Sequence, residues 1–303
     1  MKNILNIKEV SKTYGKQTVL DNVSFSINEG EIVGLVGPNG AGKTTIMKII
    51  TGLTPKYEGS VYIDNENIKS MKKEVTKKVG CVIESPGFYP SLSGYENLKF
   101  FAEVSGLKDI KQIDEIVEIL QLQNAIHKKA SKYSLGMKQR LGIAQAILTY
   151  PKLLILDEPT NGLDPNIIPQ IRRFIINIAK KKNIAVLISS HNLAELDVMC
   201  NRVIFMNKGK IIEQQSELTC DNEQILIKIK TSKPDIMKEF LASQKINICE
   251  MDGESFILEV DRNEIENLTS EMFKNGIPFS TVEELKESLE DKYLKIVRGD
   301  LVE

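Results

Sequence analysis

Between two apolar runs, Ile32-Val33-Gly34-Leu35-Val36 and Ile46-Met47-Lys48-Ile49-Ile50, the chain carries Gly37-Pro38-Asn39-Gly40-Ala41-Gly42-Lys43-Thr44-Thr45. The order reads as strand, glycine loop, helix, with the spacing G-x-x-x-x-G-K-[ST]. Glycines let successive backbone N–H groups curl around phosphate oxygens, and the helix that follows adds the positive end of its dipole. Lys43 is placed to neutralise β- and γ-phosphate charge and Thr44 to ligate magnesium. A tight turn with a chance lysine is the alternative, and nucleotide binding is the stronger reading.

A loop of this kind needs a sheet behind it. With 303 residues and 42% hydrophobic composition, the chain can bury one sizeable domain plus a smaller one. Forty Lys and Arg against 41 Asp and Glu leave a formal charge of −1, too little field to draw in DNA or an anionic membrane, so no nucleic-acid partner is expected. The run Lys180-Lys181-Lys182 reads as a solvated helix end. Cys81, Cys200, Cys220 and Cys249 show neither metal spacing nor a paired pattern, and read as buried small hydrophobes in a reducing cytoplasm. The first residues alternate polar and apolar and lack the apolar core of a secretory signal. No stretch approaches the roughly 18 apolar residues of a membrane span, so a membrane process would place the spanning segments in another chain.

Residues 4–36 read as short strands joined by turns at Lys12-Thr13-Tyr14-Gly15-Lys16 and Asn28-Glu29-Gly30, and Gly59 to Asp64 as a further strand. Tyr14, an aromatic at a loop, can stack on a nucleotide base or simply pack. Lys78 to Ile83 is a short strand that runs into Glu84-Ser85-Pro86-Gly87-Phe88-Tyr89-Pro90, where two prolines and a glycine forbid helix or central strand. Ser93-Gly94-Tyr95-Glu96 matches a capping box, and the spacing of Leu98, Phe101, Ala102 and Val104, then Ile113, Ile116, Ile119 and Leu120, predicts two helices. Ser134 is a good N-cap for a third, through Leu141, Ile143, Ala144, Ile147 and Leu148. Residues 88–150 therefore read as a helical subdomain.

Leu153-Leu154-Ile155-Leu156-Asp157-Glu158 is too long an apolar run for an alternating strand and ends in two acids. It reads as a buried parallel strand with carboxylates at its C-terminal end, where open α/β sheets bind ligands. Asp157 can hold a water of a magnesium shell, and Glu158 can orient or deprotonate an attacking water. A second buried strand, Ile184 to Ile188, ends at Ser189-Ser190-His191, where an imidazole can contact a γ-phosphate or position water. His127 lies in a lysine-rich helix end and reads as surface. Arg202 to Met206 and Ile211 to Glu213 flank Asn207-Lys208-Gly209-Lys210 as a hairpin that closes the domain.

The ordered set of Tyr14, residues 37–45, Ser134-Leu135-Gly136-Met137, Asp157-Glu158-Pro159, Asn161-Gly162-Leu163-Asp164 and His191 resembles the ATP-binding subunit of ABC transporters, over residues 4–214. The resemblance implies an α/β fold with a mixed sheet core, an N-terminal antiparallel part and a helical subdomain, and ATP with Mg2+ as cofactors. It implies Tyr14 as the adenine-stacking aromatic, Gly37, Pro38, Asn39, Gly40, Ala41, Gly42, Lys43, Thr44 and Thr45 as the phosphate cradle, and Asp157 as the magnesium acid. Glu158 becomes the catalytic base and His191 the switch histidine, with Lys43 beside them. Ser134 and Gly136 belong to the signature loop, which approaches the γ-phosphate bound by a second subunit, and Asp164 to the loop crossing that seam. A homodimer of ATPase chains and a separate integral membrane permease are implied partners. The location implied is cytoplasmic, peripheral on the inner face of the membrane.

Two departures from the family pattern stand out. The usual Leu-Ser-Gly-Gly-Gln is Tyr133-Ser134-Leu135-Gly136-Met137 here, and the usual glutamine after residue 83 is Glu84. A carboxylate at 84 would strengthen a metal contact and repel phosphate unless magnesium lies between. Glu84 followed by Ser-Pro-Gly-Phe-Tyr-Pro resembles the branch that expels lantibiotics and bacitracin-like peptides. Phe88 and Tyr89 either form the groove that receives a permease helix or pack the helical subdomain. Export of another drug, lipid or ion, or a soluble non-transport ATPase of the same family, are the alternatives.

Residues 1–215 are thus expected to form the ATP-binding domain and 216–303 an α+β accessory domain. In the latter, strands at Ile225–Lys230, around Ile246–Ile248, at Phe256–Val260 and near Phe279, with helices at Pro234–Ala242 and Ile265–Phe273, suggest a β-α-β-β-α-β ferredoxin-like order, followed by a helix from Leu285 to Val297. Structural support or dimer contact is its expected task.

Overall fold

Two twelve-residue strands, β1 (Asn3–Tyr14) and β2 (Gln17–Asn28), open the chain and pair antiparallel. The computed structural model describes residues 2–70, 75–107, 111–163, 165–215, 224–244, 246–285 and 293. The chain divides into two units, Met1–Leu218 and Thr219–Glu303.

In the first unit, β3 (Ile32–Val36) leads into α1 (Lys43–Ile50), and β4 (Glu58–Ile63) and β5 (Glu66–Asn67) join β1 and β2 in an antiparallel sheet of order β2-β1-β4-β5. A short α2 (Val75–Lys78) precedes β6 (Val79–Val82). Helices α3 (Gly94–Val104), α4 (Lys111–Ile119) and α5 (Leu135–Ile147) follow, then β7 (Leu153–Asp157), α6 (Ile168–Lys182), β8 (Ala185–Ser189), α7 (Leu193–Met199) and the hairpin β9 (Arg202–Asn207) and β10 (Lys210–Gln215). The second sheet has the order β10-β9-β3-β8-β7-β6, parallel from β9 to β6 with β10 antiparallel at its edge.

Every residue of β3, β7 and β8 is buried, which is why these runs are apolar without alternation: a parallel strand covered on both faces has no solvent side. Leu35, Ile46, Met47, Ile49, Ile155 and Leu187 share one core with Ile4, Ile7 and Ile63 of the antiparallel sheet, so α1 is clamped between the sheets by its apolar residues. The C-terminal ends of β3, β7 and β8 thereby come together on one edge.

In the helical subdomain, the Ser93 Oγ accepts the Glu96 N–H at 3.2 Å while Glu96 Oε2 accepts the Ser93 N–H at 2.7 Å, so the expected capping box forms. Ser134 N-caps α5, accepting the Met137 N–H at 3.3 Å. The helices begin at Gly94 rather than 88, and residues 120–134 are turns with one 3-10 segment, Ala130–Lys132. Two glycines set how closely α5 packs. A Cβ on Gly80 would collide with Ala146 O, and one on Gly142 would stand 2.5 Å from Pro86 Cβ.

In the second unit, β11 (Gln224–Lys230), α8 (Pro234–Ser243), β12 (Ile248–Asp252), β13 (Ser255–Asp261), α9 (Ile265–Lys274) and β14 (Thr281–Leu285) form a sheet of order β12-β13-β11-β14, antiparallel throughout. Ile227, Ile229, Phe256 and Leu258 bury one face with Met237, Leu241, Leu268 and Met272 of the helices.

Several expectations need correction. Residues 4–28 form two long strands rather than short ones, and Tyr14 ends β1 instead of lying in a five-residue turn. Ile246 donates its N–H back to Leu241 O at 3.0 Å in the last turn of α8 and is not in a strand, and β12 starts only at Ile248. The last strand begins at Thr281, past Phe279, and Leu285 belongs to it rather than to a helix; the rest of the expected helix lies outside the described residues, apart from helical Tyr293. Cys200 is buried, but Cys81, alone among the residues of β6, and Cys249, on the exposed strand β12, are exposed. Cys220 lies outside the described residues. Among the described residues no helix is long and apolar enough to cross a membrane.

Candidate nucleotide site

The turn from β3 to α1 is possible only with glycine at particular positions. A Cβ on Gly37 would collide with Met206 O, and Gly42 combines a φ of +105° with an approach of 2.6 Å to Leu20 Cδ2. The loop so formed, Asn39 to Thr45, lines a cavity of about 150 Å³ with Val19 and Glu158. Lys43 is buried, 7% exposed, and donates to Gly37 O at 2.6 Å and Pro38 O at 3.1 Å. Burial pushes its ammonium below the ordinary lysine value, and the charges of Glu158 and Asp157 oppose that shift. Such a cavity, walled by amides, a cation and the N-terminal end of a helix, is suited to a phosphate chain.

Asp157 ends β7 directly opposite Ser189, the last residue of β8. Its carboxylate accepts from Thr44 Oγ1 at 2.9 Å and from Ser189 Oγ at 2.6 Å. Ser189 Oγ in turn accepts the Glu158 N–H at 2.9 Å. Glu158 holds a left-handed φ of +47° and lines the cavity. There Asn161 Nδ2 donates to Glu158 Oε2 at 3.1 Å, and His191 Nδ1 lies 3.2 Å from the same oxygen.

The donor set fits magnesium. Thr44 and Asp157 offer a hydroxyl and a carboxylate already within 2.9 Å of each other, the hard oxygen ligands this ion prefers. No group of three or more His, Cys, Asp or Glu side chains that could hold a metal occurs among the described residues. Two protein oxygens with phosphate and water completing the shell is the usual arrangement for magnesium on a nucleotide.

The structure gathers Gly37 to Thr45, Asp157, Glu158 and His191 at one sheet edge. Tyr14 is half exposed, with Lys12 Nζ 4.5 Å from its ring centroid. Glu84 does not hydrogen-bond Thr44 or Asp157; its carboxylate pairs with Lys48 Nζ at 2.6 Å, and this bond raises the Lys48 ammonium above its ordinary value. Ser134 and Gly136 are outside the cavity lining, Ser134 exposed and Gly136 buried beneath Ile167 and Leu163. Asp164 lies outside the described residues. Val19, Lys48 and Ser189 carry no role in the sequence reading, and Asn161 enters it only within the motif Asn161-Gly162-Leu163-Asp164, although Ser189 shares with Asp157 the last place of a buried strand.

A second cavity of about 170 Å³ between α4, α5 and α6 has mostly apolar walls, and its rim is tied to itself, Tyr150 OH donating to Glu115 Oε2 at 2.7 Å. It lacks the convergence of amides and acids seen at the first.

A family model described as ABC transporter matches residues 20–161. The bacitracin transport ATP-binding protein BcrA of Bacillus licheniformis is 36% identical over the whole of both chains. An uncharacterized ABC transporter ATP-binding protein of Bacillus subtilis, YdbJ, is 39% identical over 96% of this chain and 94% of its own. The lantibiotic transport ATP-binding protein SrtF of Streptococcus pyogenes is 42% identical over 69% of this chain and 89% of its own. Among solved structures, a dimeric bacterial ABC transporter cassette superposes with a TM-score of 0.65 at 28% identity, covering 70% of this chain and 98% of that one. With relatives this similar over nearly the whole length and a phosphate cradle facing Glu158 across one cavity, the chain belongs to the ATP-binding proteins of ABC transporters.

Proposed function

We propose that this chain hydrolyses ATP to drive a separate membrane permease that expels lantibiotic or bacitracin-like antimicrobial peptides. The observation that carries the chemistry is the position of Glu158 on the wall of the cavity formed by residues 39–45. The cargo reading rests on Glu84 and on relatives whose names specify bacitracin and lantibiotic transport.

In this reading the loop amides and Lys43 bind the triphosphate, and Tyr14 stacks on the base. Thr44 and Asp157, with Glu84 as the third oxygen donor, would hold magnesium, which would supply neutralisation of phosphate charge. Glu158 accepts a proton from the attacking water, and His191, fixed on the same carboxylate oxygen, orients it. Ser134 and Gly136, which do not line the cavity of their own chain, complete that of a second chain, with Asp164 in the seam between. Two chains therefore close over two ATP molecules, and closure moves the permease. The protein works in the cytoplasm, held to the inner face of the membrane by that permease. Residues 216–303 form a ferredoxin-like accessory domain, as the observed β-α-β-β-α-β order supports.

The test is affinity purification of a tagged Glu158→Gln chain from its native membranes with MgATP, followed by mass spectrometry. Polytopic membrane proteins are the expected partners, and peptide resistance is then assayed on their deletion. Recovery of soluble partners alone would replace transport with a soluble role.

A further inference from the structure

Glu84 carries its carboxylate onto α1, the helix that leaves the phosphate loop, and the structure contains a feature that offsets it. Lys48 stands one helical turn after Thr44 on α1, at a half-buried position between the buried Met47 and Ile49, and its ammonium meets Glu84 Oε1 at 2.6 Å. Glu84 itself holds a left-handed φ of +61°, and the Ser85 N–H turns back to Ile83 O at 2.8 Å, so the chain bends at this residue. Two residues on, Pro86 lies against α5 where only Gly142 leaves room for it. The loop is thus seated on α5 through Pro86 and on α1 through the ion pair.

We propose that Lys48 is the positioning residue that accommodates a glutamate at position 84, neutralising its carboxylate one helical turn along α1 from Thr44 of the cradle and tying the loop of residues 83–90 to α1. The inference rests on the cradle reading of residues 37–45. An exposed ion pair between two freely moving side chains contributes little, but here the backbone of one partner is bent into place and the other stands on a packed helix. Lys48 acts through Glu84 and touches no reacting atom. Without it, an uncompensated carboxylate opposes metal-free ATP and favours the magnesium form.

Two measurements test this. Hydrogen exchange of the nucleotide-free chain should show faster exchange at residues 83–87 in Lys48→Met, and wild-type exchange in Lys48→Arg, which keeps the charge. Binding of trinitrophenyl-ATP, followed by fluorescence with Mg2+ or with EDTA, should show the ratio of the two affinities rising roughly two- to fivefold in Lys48→Met. In a Glu84→Gln background the same lysine substitution should leave that ratio unchanged. A ratio that shifts equally in both backgrounds would mean that Lys48 acts on the phosphates directly, and unchanged exchange would remove the tie; either result overturns the proposal. If the unsubstituted chain binds no nucleotide, the cradle reading fails, while the exchange measurement, made without nucleotide, still decides the role of Lys48.

Discussion

The Ser189 hydroxyl donates to Asp157 Oδ1 at 2.6 Å and accepts the Glu158 N–H at 2.9 Å, so one fully buried side chain fixes the carboxylate of one acid and the backbone of the next. Ser189→Ala is expected to lower the maximal rate of ATP hydrolysis by roughly tenfold or more, as loss of a supporting hydrogen bond around a metal acid does, with little change in nucleotide affinity. Leaving Asp157 short of a partner should also cost about 1–3 kcal/mol of stability, read from denaturant unfolding. Unchanged turnover would mean that the parallel strand pairing alone holds both acids.

Lys43 offers a second test. Its ammonium donates to the carbonyls of Gly37 and Pro38, which holds the charge inside the phosphate loop. Lys43→Ala should weaken ATP binding by roughly a hundredfold, about 2.7 kcal/mol, and should affect ATP more than AMP because the lost charge acts at the far phosphates. Titration with the two nucleotides measures both. Equal losses would place the lysine elsewhere along the ligand.

Asn97, 1% exposed, accepts the Tyr89 N–H at 2.7 Å and donates to Tyr89 O at 3.0 Å and Ser93 O at 2.9 Å. It pins the segment that presents Tyr89, whose ring meets Phe100 edge-on at 5.0 Å. Asn97→Ala should destabilise the chain by about 1–3 kcal/mol and reduce recovery of the permease while leaving nucleotide affinity intact. The double substitution Phe88→Ala and Tyr89→Ala should reduce recovery in the same way; normal recovery in both would leave those rings with packing alone.

Gly80→Ala would drive a methyl group into Ala146 O, so α5 must retreat from β6. The expected cost is about 1–3 kcal/mol, seen as a lower unfolding midpoint with an unchanged slope. Because the retreat also moves Ser134 at the other end of α5, hydrolysis should fall further than nucleotide binding does.

The core of this fold was legible wherever a run of residues answers to one constraint. The glycine loop, the unbroken apolar strands ending at Val36, Asp157 and Ser189, and the reciprocal Ser93 and Glu96 cap each follow from local chemistry. Residues whose importance comes from tertiary pairing were not legible. Ser189 matters because parallel register sets it opposite Asp157, and Lys48 because a bent loop 36 residues away returns to α1. The exposure of Cys81 and Cys249 was hidden too, because composition cannot say which side of a strand the rest of the fold leaves uncovered. Polar Lys12 to Lys16 suggested a wide turn, yet cross-strand pairing continues to Tyr14 and Gln17.

Glu158 carries a backbone conformation, φ +47°, that glycine or asparagine would adopt more readily than an acid with a long side chain. Strain of this kind is of order 1 kcal/mol or more and persists where the surrounding contacts over-determine it. Folding and chemistry therefore prefer different residues at this position. A population of variants selected for solubility or heat resistance alone would drift away from glutamate here, whereas one selected for turnover would keep it, so the identity of residue 158 records which demand a lineage has met.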